Sequence, residues 1–297
     1  MKPMKIQYQQ TRGKIDEPTI LLNNKTGGYF MHSPCRKQTR FEGLYYPVLK
    51  PEGWELVKTL HSIDIKSQPK EIQWTGRTPQ IVYECGAKAS YFVTPKGVLI
   101  YEIKDYQGPL RLSFDFREMY DFEDGDLEFE LIRYADNRFQ TLKYVKQGDS
   151  GSQVYYMTIY ADCPMKPFGQ SRKEHYPLDY QRRSEPWERE VVDMFLTPVD
   201  QKSIRICFGF SEERQTAEIL TRNAAAQYQE LESLPKRGNV IELNTEDKDI
   251  LQAVDFVSHS LSTSLIWLPE QHGKGIYAGY PWFYQWWTRD EAISLGG

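Results

Sequence analysis

The amino-acid sequence predicts a mainly β chain, a large antiparallel β-sandwich followed by two linking helices. Three observations predict it. Apolar and polar residues alternate with a period of two in stretches of the first two thirds of the chain, turn-forming residues recur between those stretches, and the period lengthens to that of a helix near residue 210.

The strands come first. Leu110, Leu112, Phe114 and Phe116 alternate with Arg111, Ser113, Asp115 and Arg117, which predicts one apolar face and one wet face. Ile204, Ile206, Phe208 and Phe210 repeat the pattern. Residues 89–93, 98–103, 127–134, 139–146, 153–160 and 190–197 are similarly rich in β-branched and aromatic side chains, which suit a pleated, half-buried surface. Pro95-Lys96-Gly97, Gln107-Gly108-Pro109, Asp124-Gly125 and Gly148-Asp149-Ser150-Gly151 read as the turns between them. Many strands, short connections and no regular strand–helix alternation point to a sandwich rather than a parallel sheet.

The helices follow. Ser211 can cap a helix over about 212–233, with Ala217, Leu220, Ala224, Tyr228 and Leu231 on one stripe and Pro235 and Gly238 beyond its end. A second helix starts near 246. Asn244 or Thr245 can cap it, Glu246 and Asp247 favour its positive end, and Ile250, Val254, Val257, Leu261 and Leu265 form its apolar stripe. The expected division is a sandwich domain over 1–210, linking helices over 211–267 and a distinct segment over 268–297.

The bulk numbers narrow the function. A length of 297 residues allows a sizeable core, and 37 Lys and Arg against 41 Asp and Glu leave a formal net charge of −4, with no general drive toward nucleic acid or an anionic membrane. No apolar run has membrane-spanning length, and the N-terminus lacks the apolar stretch of a signal peptide. The widely spaced Cys35, Cys85, Cys163 and Cys207 are expected to be buried thiols of a cytoplasmic protein. His32, His61, His175, His259 and His272 have no short metal spacing, with His175 expected in a loop and His259 beside the apolar stripe of the second helix. The acidic run Asp121, Glu123, Asp124, Asp126, Glu128 and Glu130 reads as a solvated hairpin rather than a calcium loop. Gly273 and Gly275 lack the rest of a dinucleotide fingerprint, so no cofactor or metal is expected.

The densest functional chemistry lies between Pro281 and Asp290. Tyr280, Trp282 and Trp287 offer flat apolar faces on which a pyranose can stack, while Arg289 presents a fork of donors and Asp290 a pair of acceptors for vicinal hydroxyls. The same residues also fit an aromatic plug with a local ion pair. Glycoside hydrolysis needs two carboxyl groups on opposite sides of the bond, and Asp290 and Glu291, adjacent in sequence, are badly placed for that.

A resemblance decides between these readings. Gly279-Tyr-Pro-Trp-Phe283, Trp287-Thr-Arg-Asp290 and Ile293-Ser-Leu-Gly-Gly297 resemble the opening of the (α/α)6 barrel of prokaryotic-type glycogen debranching enzymes, the amylo-α-1,6-glucosidase family. Trp-Thr-Arg-Asp at 287–290 is also similar to the corresponding segment of glucoamylases. Near the other end, Asn23-Asn-Lys-Thr-Gly-Gly-Tyr29 and Thr39-Arg-Phe-Glu-Gly-Leu44 resemble that family's N-terminal pattern, with Phe41-Glu42 standing where the family has Tyr-His.

The resemblance implies a β-sandwich, two linking helices and then the barrel, of which 268–297 is the truncated beginning. It implies inverting hydrolysis of α-1,6-glucosidic bonds, with α-1,4 bonds as a secondary candidate, and glycogen, limit dextrin or malto-oligosaccharide as the partner of the complete enzyme. Arg289 and Asp290 then hold the terminal glucose, and Trp287, Trp282 and Tyr280 line its pocket. The family's acid and base lie downstream, so this chain is expected to carry no catalytic residue and to be inactive alone. The competing expectation is a non-catalytic carbohydrate-binding or protein-interaction β-sandwich module.

Overall fold

Alternation along each strand builds two antiparallel sheets that face each other across one apolar core. The computed structural model describes residues 4–7, 19–24, 26–35, 37–50, 53–75, 78–121, 129–134, 138–148, 151–196, 203–228, 247, 250–251, 253–254, 257–258, 265–268 and 273–276. In chain order the strands are β1 (Met4–Gln7), β2 (Ile20–Asn23), β3 (Tyr29–His32), β4 (Gly43–Lys50), β5 (Gly53–Ile65), β6 (Pro69–Thr75), β7 (Thr78–Tyr83), β8 (Lys88–Val93) and β9 (Leu99–Lys104). There follow β10 (Leu110–Glu118), β11 (Phe129–Arg133), β12 (Phe139–Gly148), β13 (Gly151–Ala161), β14 (Lys166–His175), β15 (Glu188–Leu196), β16 (Ser203–Ser211), β17 (Leu265–Leu268) and β18 (Gly273–Ile276).

A nine-stranded sheet has the order β1-β6-β7-β8-β9-β16-β13-β12-β11, and a seven-stranded sheet the order β14-β15-β10-β5-β4-β3-β2. Neighbours in both are antiparallel. The described parts of the strand stretches read from alternation fall within β8, β9, β11, β12, β13 and β15 to within a residue at their ends, and residues 127, 128 and 197 lie outside the described residues. Gly148 pairs with Gly151 to close the β12–β13 hairpin, and Gly97, at a φ of +84°, turns β8 into β9. Asp124-Gly125 lies outside the described residues.

Leu110, Leu112, Phe114 and Phe116 of β10 all enter the core between the sheets, with Ile204, Ile206 and Phe208 of β16. Each such burial stabilises by roughly 1.5–3 kcal/mol. The other face of β10 corrects the expectation of a wet surface, because Ser113, Asp115 and Arg117 are buried. That face is roofed. Ile266 of β17 packs with Tyr29, Phe41, Tyr45, Leu56 and Met119 there, and the short helix α1 (Pro177–Arg182) binds the loop before β4.

The helix α2 (Arg214–Ala226) packs on β13 and β16. Ala217 and Ala224 are buried and Tyr228 closes the stripe, as its helical spacing predicts. Leu231 lies outside the described residues. Glu213 rather than Ser211 holds the N-cap position, and the Ser211 hydroxyl accepts the Glu213 N–H at 3.1 Å.

Helical residues recur at 250–251, 253–254 and 257–258. Asp247 supplies their cap, its Oδ1 accepting the Ile250 N–H at 3.3 Å and its carbonyl the Leu251 N–H at 3.0 Å. Asn244, Thr245 and Leu261 lie outside the described residues. Of the described residues of the predicted stripe, Ile250 and Val257 are exposed and Val254 is half-buried. Leu265 belongs to β17, where it pairs with Ile276 rather than extending the helix. His175 ends β14 instead of lying in a loop.

Candidate functional site

The Asn23–Tyr29 motif shapes the turn between β2 and β3, and the Thr39–Leu44 motif organises a polar layer on the roofed face of the seven-stranded sheet. The first motif is a turn. Asn24 Oδ1 accepts the Gly28 N–H at 2.9 Å and the Thr26 N–H at 3.1 Å, which folds the chain back between β2 and β3. Gly28 abuts β4, where a Cβ would sit 2.9 Å from the Tyr45 carbonyl.

The second motif is a buried anchor. The Glu42 carboxylate gathers the loop before it, taking the N–H groups of Ser33 at 2.8 Å, Gln38 at 2.6 Å and Thr39 at 3.2 Å. Burial raises its pKa, against the opposing pull of Lys37 and these N–H groups. The neighbouring Thr39 hydroxyl and Arg40 N–H both donate to Asp179 of α1, at 2.8 and 2.7 Å. Gly43 adopts a φ of +123°, and a Cβ there would meet the Leu60 carbonyl at 2.4 Å. Each position of this motif therefore has a packing or hydrogen-bonding reason within the sandwich.

Beneath the anchor lies an ion cluster. Lys58 Nζ donates to the Arg40 carbonyl at 2.8 Å and pairs with Asp115 at 3.0 Å. Arg117 also pairs with Asp115, and Arg189 approaches it at 3.8 Å. All four side chains are almost wholly inaccessible. Burial pushes the Lys58 pKa down to about 8, although Asp115 opposes it. Burial alone would raise the Asp115 carboxyl, but Arg117, Lys58 and Arg189 hold it well below the usual carboxylate range.

The β5–β10 pairing passes from Ser62 to Leu60 and skips His61. Such a bulge re-aims side chains. His61 Nδ1 lies 2.9 Å from Lys58 Nζ, and its Nε2 lies 3.8 Å from Glu174. Accepting from Lys58 at Nδ1 places the ring proton on Nε2. Burial, followed by the nearby Lys58, drives the His61 pKa down, so the ring is neutral.

The contacts within this layer are structural. Asp115 and Asp179 are both wholly buried and committed to cations or main-chain donors, so neither faces a space where a sugar could sit. Among the described residues no cluster of three His, Cys, Asp or Glu side chains could hold a metal ion. The cysteines follow the expectation of burial in part. Cys163 and Cys207 are buried, and burial pushes Cys207 up to about 12, whereas Cys85 is exposed and Cys35 half-buried.

Tyr280, Trp282, Trp287, Arg289 and Asp290 lie outside the described residues, as do Glu291, His259, His272 and the acidic run from Glu123 to Glu128. The structure thus brings together residues that the sequence left unconnected, Lys58, His61, Asp115, Asp179 and Arg189. Their signal was faint, since Lys58 and His61 interrupt the apolar pattern of the strand that carries them.

No protein-family model matches the sequence, and no curated protein matches it. Among solved structures, the chain is similar to a family GH92 α-mannosidase from Bacteroides thetaiotaomicron, at 10% identity and a TM-score of 0.42, over 78% of this chain and 39% of that one. It is similar to a bacterial glucoamylase complexed with acarbose, at 9% identity and a TM-score of 0.41, over 91% of this chain and 42% of that one. It is also similar to a family GH92 inverting mannosidase from Bacteroides thetaiotaomicron, at 8% identity and a TM-score of 0.33, over 82% and 32%. The chain spans less than half the length of each of these structures.

Proposed function

We propose that this chain is the sandwich-and-linker portion of a glucan-cleaving glycoside hydrolase of the debranching type, acting on α-1,6-glucosidic bonds of glycogen, limit dextrin or malto-oligosaccharide. The division into a sandwich over 1–210, linking helices over 211–267 and the opening of a barrel over 268–297 belongs to the same proposal.

The observation that carries it is the position of the β17–β18 hairpin. Ile266 of β17 rests on the sheet face that the Thr39–Leu44 motif organises. β18 ends at Ile276, four residues before Tyr280 in the sequence. The two stretches that resemble the debranching family are thus linked through one hairpin seated on one face of the sandwich. In this reading Arg289 and Asp290 grip the terminal glucose through paired donors and acceptors. Trp287, Trp282 and Tyr280 supply apolar surface for its ring. The acid that protonates the glucosidic oxygen and the base that activates water belong to polypeptide beyond Gly297.

The test compares glucose release from α-1,6-branched limit dextrin by residues 1–297 and by the full product of the gene encoding them. The expected result is release by the full product alone. A full product that releases no glucose, or residues 1–297 that release it unaided, would contradict the proposal.

A further inference from the structure

A cavity of about 780 Å³ opens beside residues 66–68, where the chain crosses from β5 of one sheet to β6 of the other. Its volume lies within the range of small-molecule sites.

The lining has a specific chemistry. Among the described residues, Lys37, Lys66 and Arg111 contribute cations, while Asp64, Glu84 and Glu174 contribute carboxylates. Equal numbers of each sign give no preference for an anion or a cation. They do set donors beside acceptors, as in the 3.2 Å pair of Arg111 Nη2 with Asp64 Oδ2. A sugar hydroxyl both donates and accepts, and vicinal hydroxyls match such pairs.

Part of the wall is preorganised. The Ser62 hydroxyl donates to Asp64 at 2.6 Å, and Lys37 is buried, its Nζ 2.8 Å from His32 Nδ1. Ile65, half-buried, adds an apolar surface to the wall, and Ile63 and Tyr83 back it from the core.

We infer that this cavity is a second carbohydrate site, which binds a short neutral oligosaccharide on the sandwich. The polyol chemistry comes from the lining, and the choice of an α-glucan rests on the function proposed above. Cys85 lines the same cavity and is exposed, so its alkylation reports occupancy.

The experiment titrates maltotetraose into the purified chain by calorimetry and follows alkylation of Cys85 by iodoacetamide, with inorganic phosphate and mannotetraose as parallel probes. The expected result is saturable maltotetraose binding that slows Cys85 alkylation, weakened at least tenfold in both Arg111→Ala and Glu84→Gln, with melting temperatures unchanged. Absence of protection, or binding unaltered in both variants, would overturn the site. Protection by phosphate equal to that by maltotetraose would overturn the neutral-sugar assignment. Protection by mannotetraose alone would keep the site and contradict its glucan specificity. Glucose release by the full gene product without maltotetraose binding here would remove this proposal and leave the enzymatic one standing.

Discussion

Lys58 and Asp115 form an ion pair of 3.0 Å in which neither side chain reaches solvent, on the sheet face turned away from the apolar core. Asp115 is also the anion facing Arg117 and Arg189. Removing one partner of a buried pair strands the other charge, which costs about 3–5 kcal/mol. Asp115→Ala should therefore destabilise the chain by that amount in urea unfolding. A loss below about 1 kcal/mol would show that the cluster is hydrated or unpaired in solution.

The histidines make stability depend on pH. His32 and His61 have pKa values driven well below 6.5, chiefly by burial. Below pH 6.5 the unfolded chain binds their protons and the folded chain does not, so stability falls as the medium is acidified, by up to about 1.4 kcal/mol per pH unit for each ring. Burial raises Glu42 and Asp179, which bind protons in the fold first and so offset part of this loss above their unfolded values. The combined change His32→Gln and His61→Gln should flatten the slope between pH 7 and 5. An unaltered slope would assign the acid sensitivity elsewhere.

Gly43 tests the anchor loop. With its φ of +123° and the Leu60 carbonyl in the way of any Cβ, Gly43→Ala incurs backbone strain of about 1–3 kcal/mol in addition to a steric clash. Denaturant melts should show at least that loss, whereas Gly53→Ala, also at positive φ but in open space, should show only the strain component. Equal losses at the two positions would argue against the close packing of β4 on β5.

Gly209 tests the seat of α2. A Cβ there would lie 2.3 Å from the Thr221 hydroxyl, which itself donates to the Ala217 carbonyl at 2.7 Å. Gly209→Ala should push α2 from the nine-stranded sheet and speed hydrogen exchange across residues 214–226 relative to β10. Protection of α2 equal to that of the unchanged chain would refute this contact.

Much of the architecture was legible because a period of two survives wherever one strand face enters the core. Leu110 to Phe116 and Ile204 to Phe210 are of this kind. Alternation shows which face is apolar, but not what covers the other. Arg111, Ser113, Asp115 and Arg117 looked like a wet surface, yet three of them are buried among partners distant in sequence, Ser113 against Arg172 and Asp193 and Asp115 with Arg117 against Lys58 and Arg189. The long strand β5 was hidden for a related reason, since Lys58, His61 and Asp64 interrupt its apolar pattern while serving the polar layer and the cavity. Leu265 fitted a helical stripe by spacing alone and instead starts a strand, because pairing with Ile276 satisfies its backbone. The motif proposed to grip the terminal glucose was legible only as chemistry and resemblance. Indole, guanidinium and carboxylate stand close in sequence, and their spacing carries no information about the polypeptide that would complete a pocket.

The most direct measurement is the kinetics of glucose release from limit dextrin by the full gene product and by its Arg289→Lys and Asp290→Asn forms. The account predicts release by the unchanged protein and a loss of about 10- to 100-fold in kcat/KM for each variant, the size expected when a hydrogen bond to a charged group is removed from a bound sugar. No release by the unchanged protein, or variants with unaltered kinetics, would contradict it.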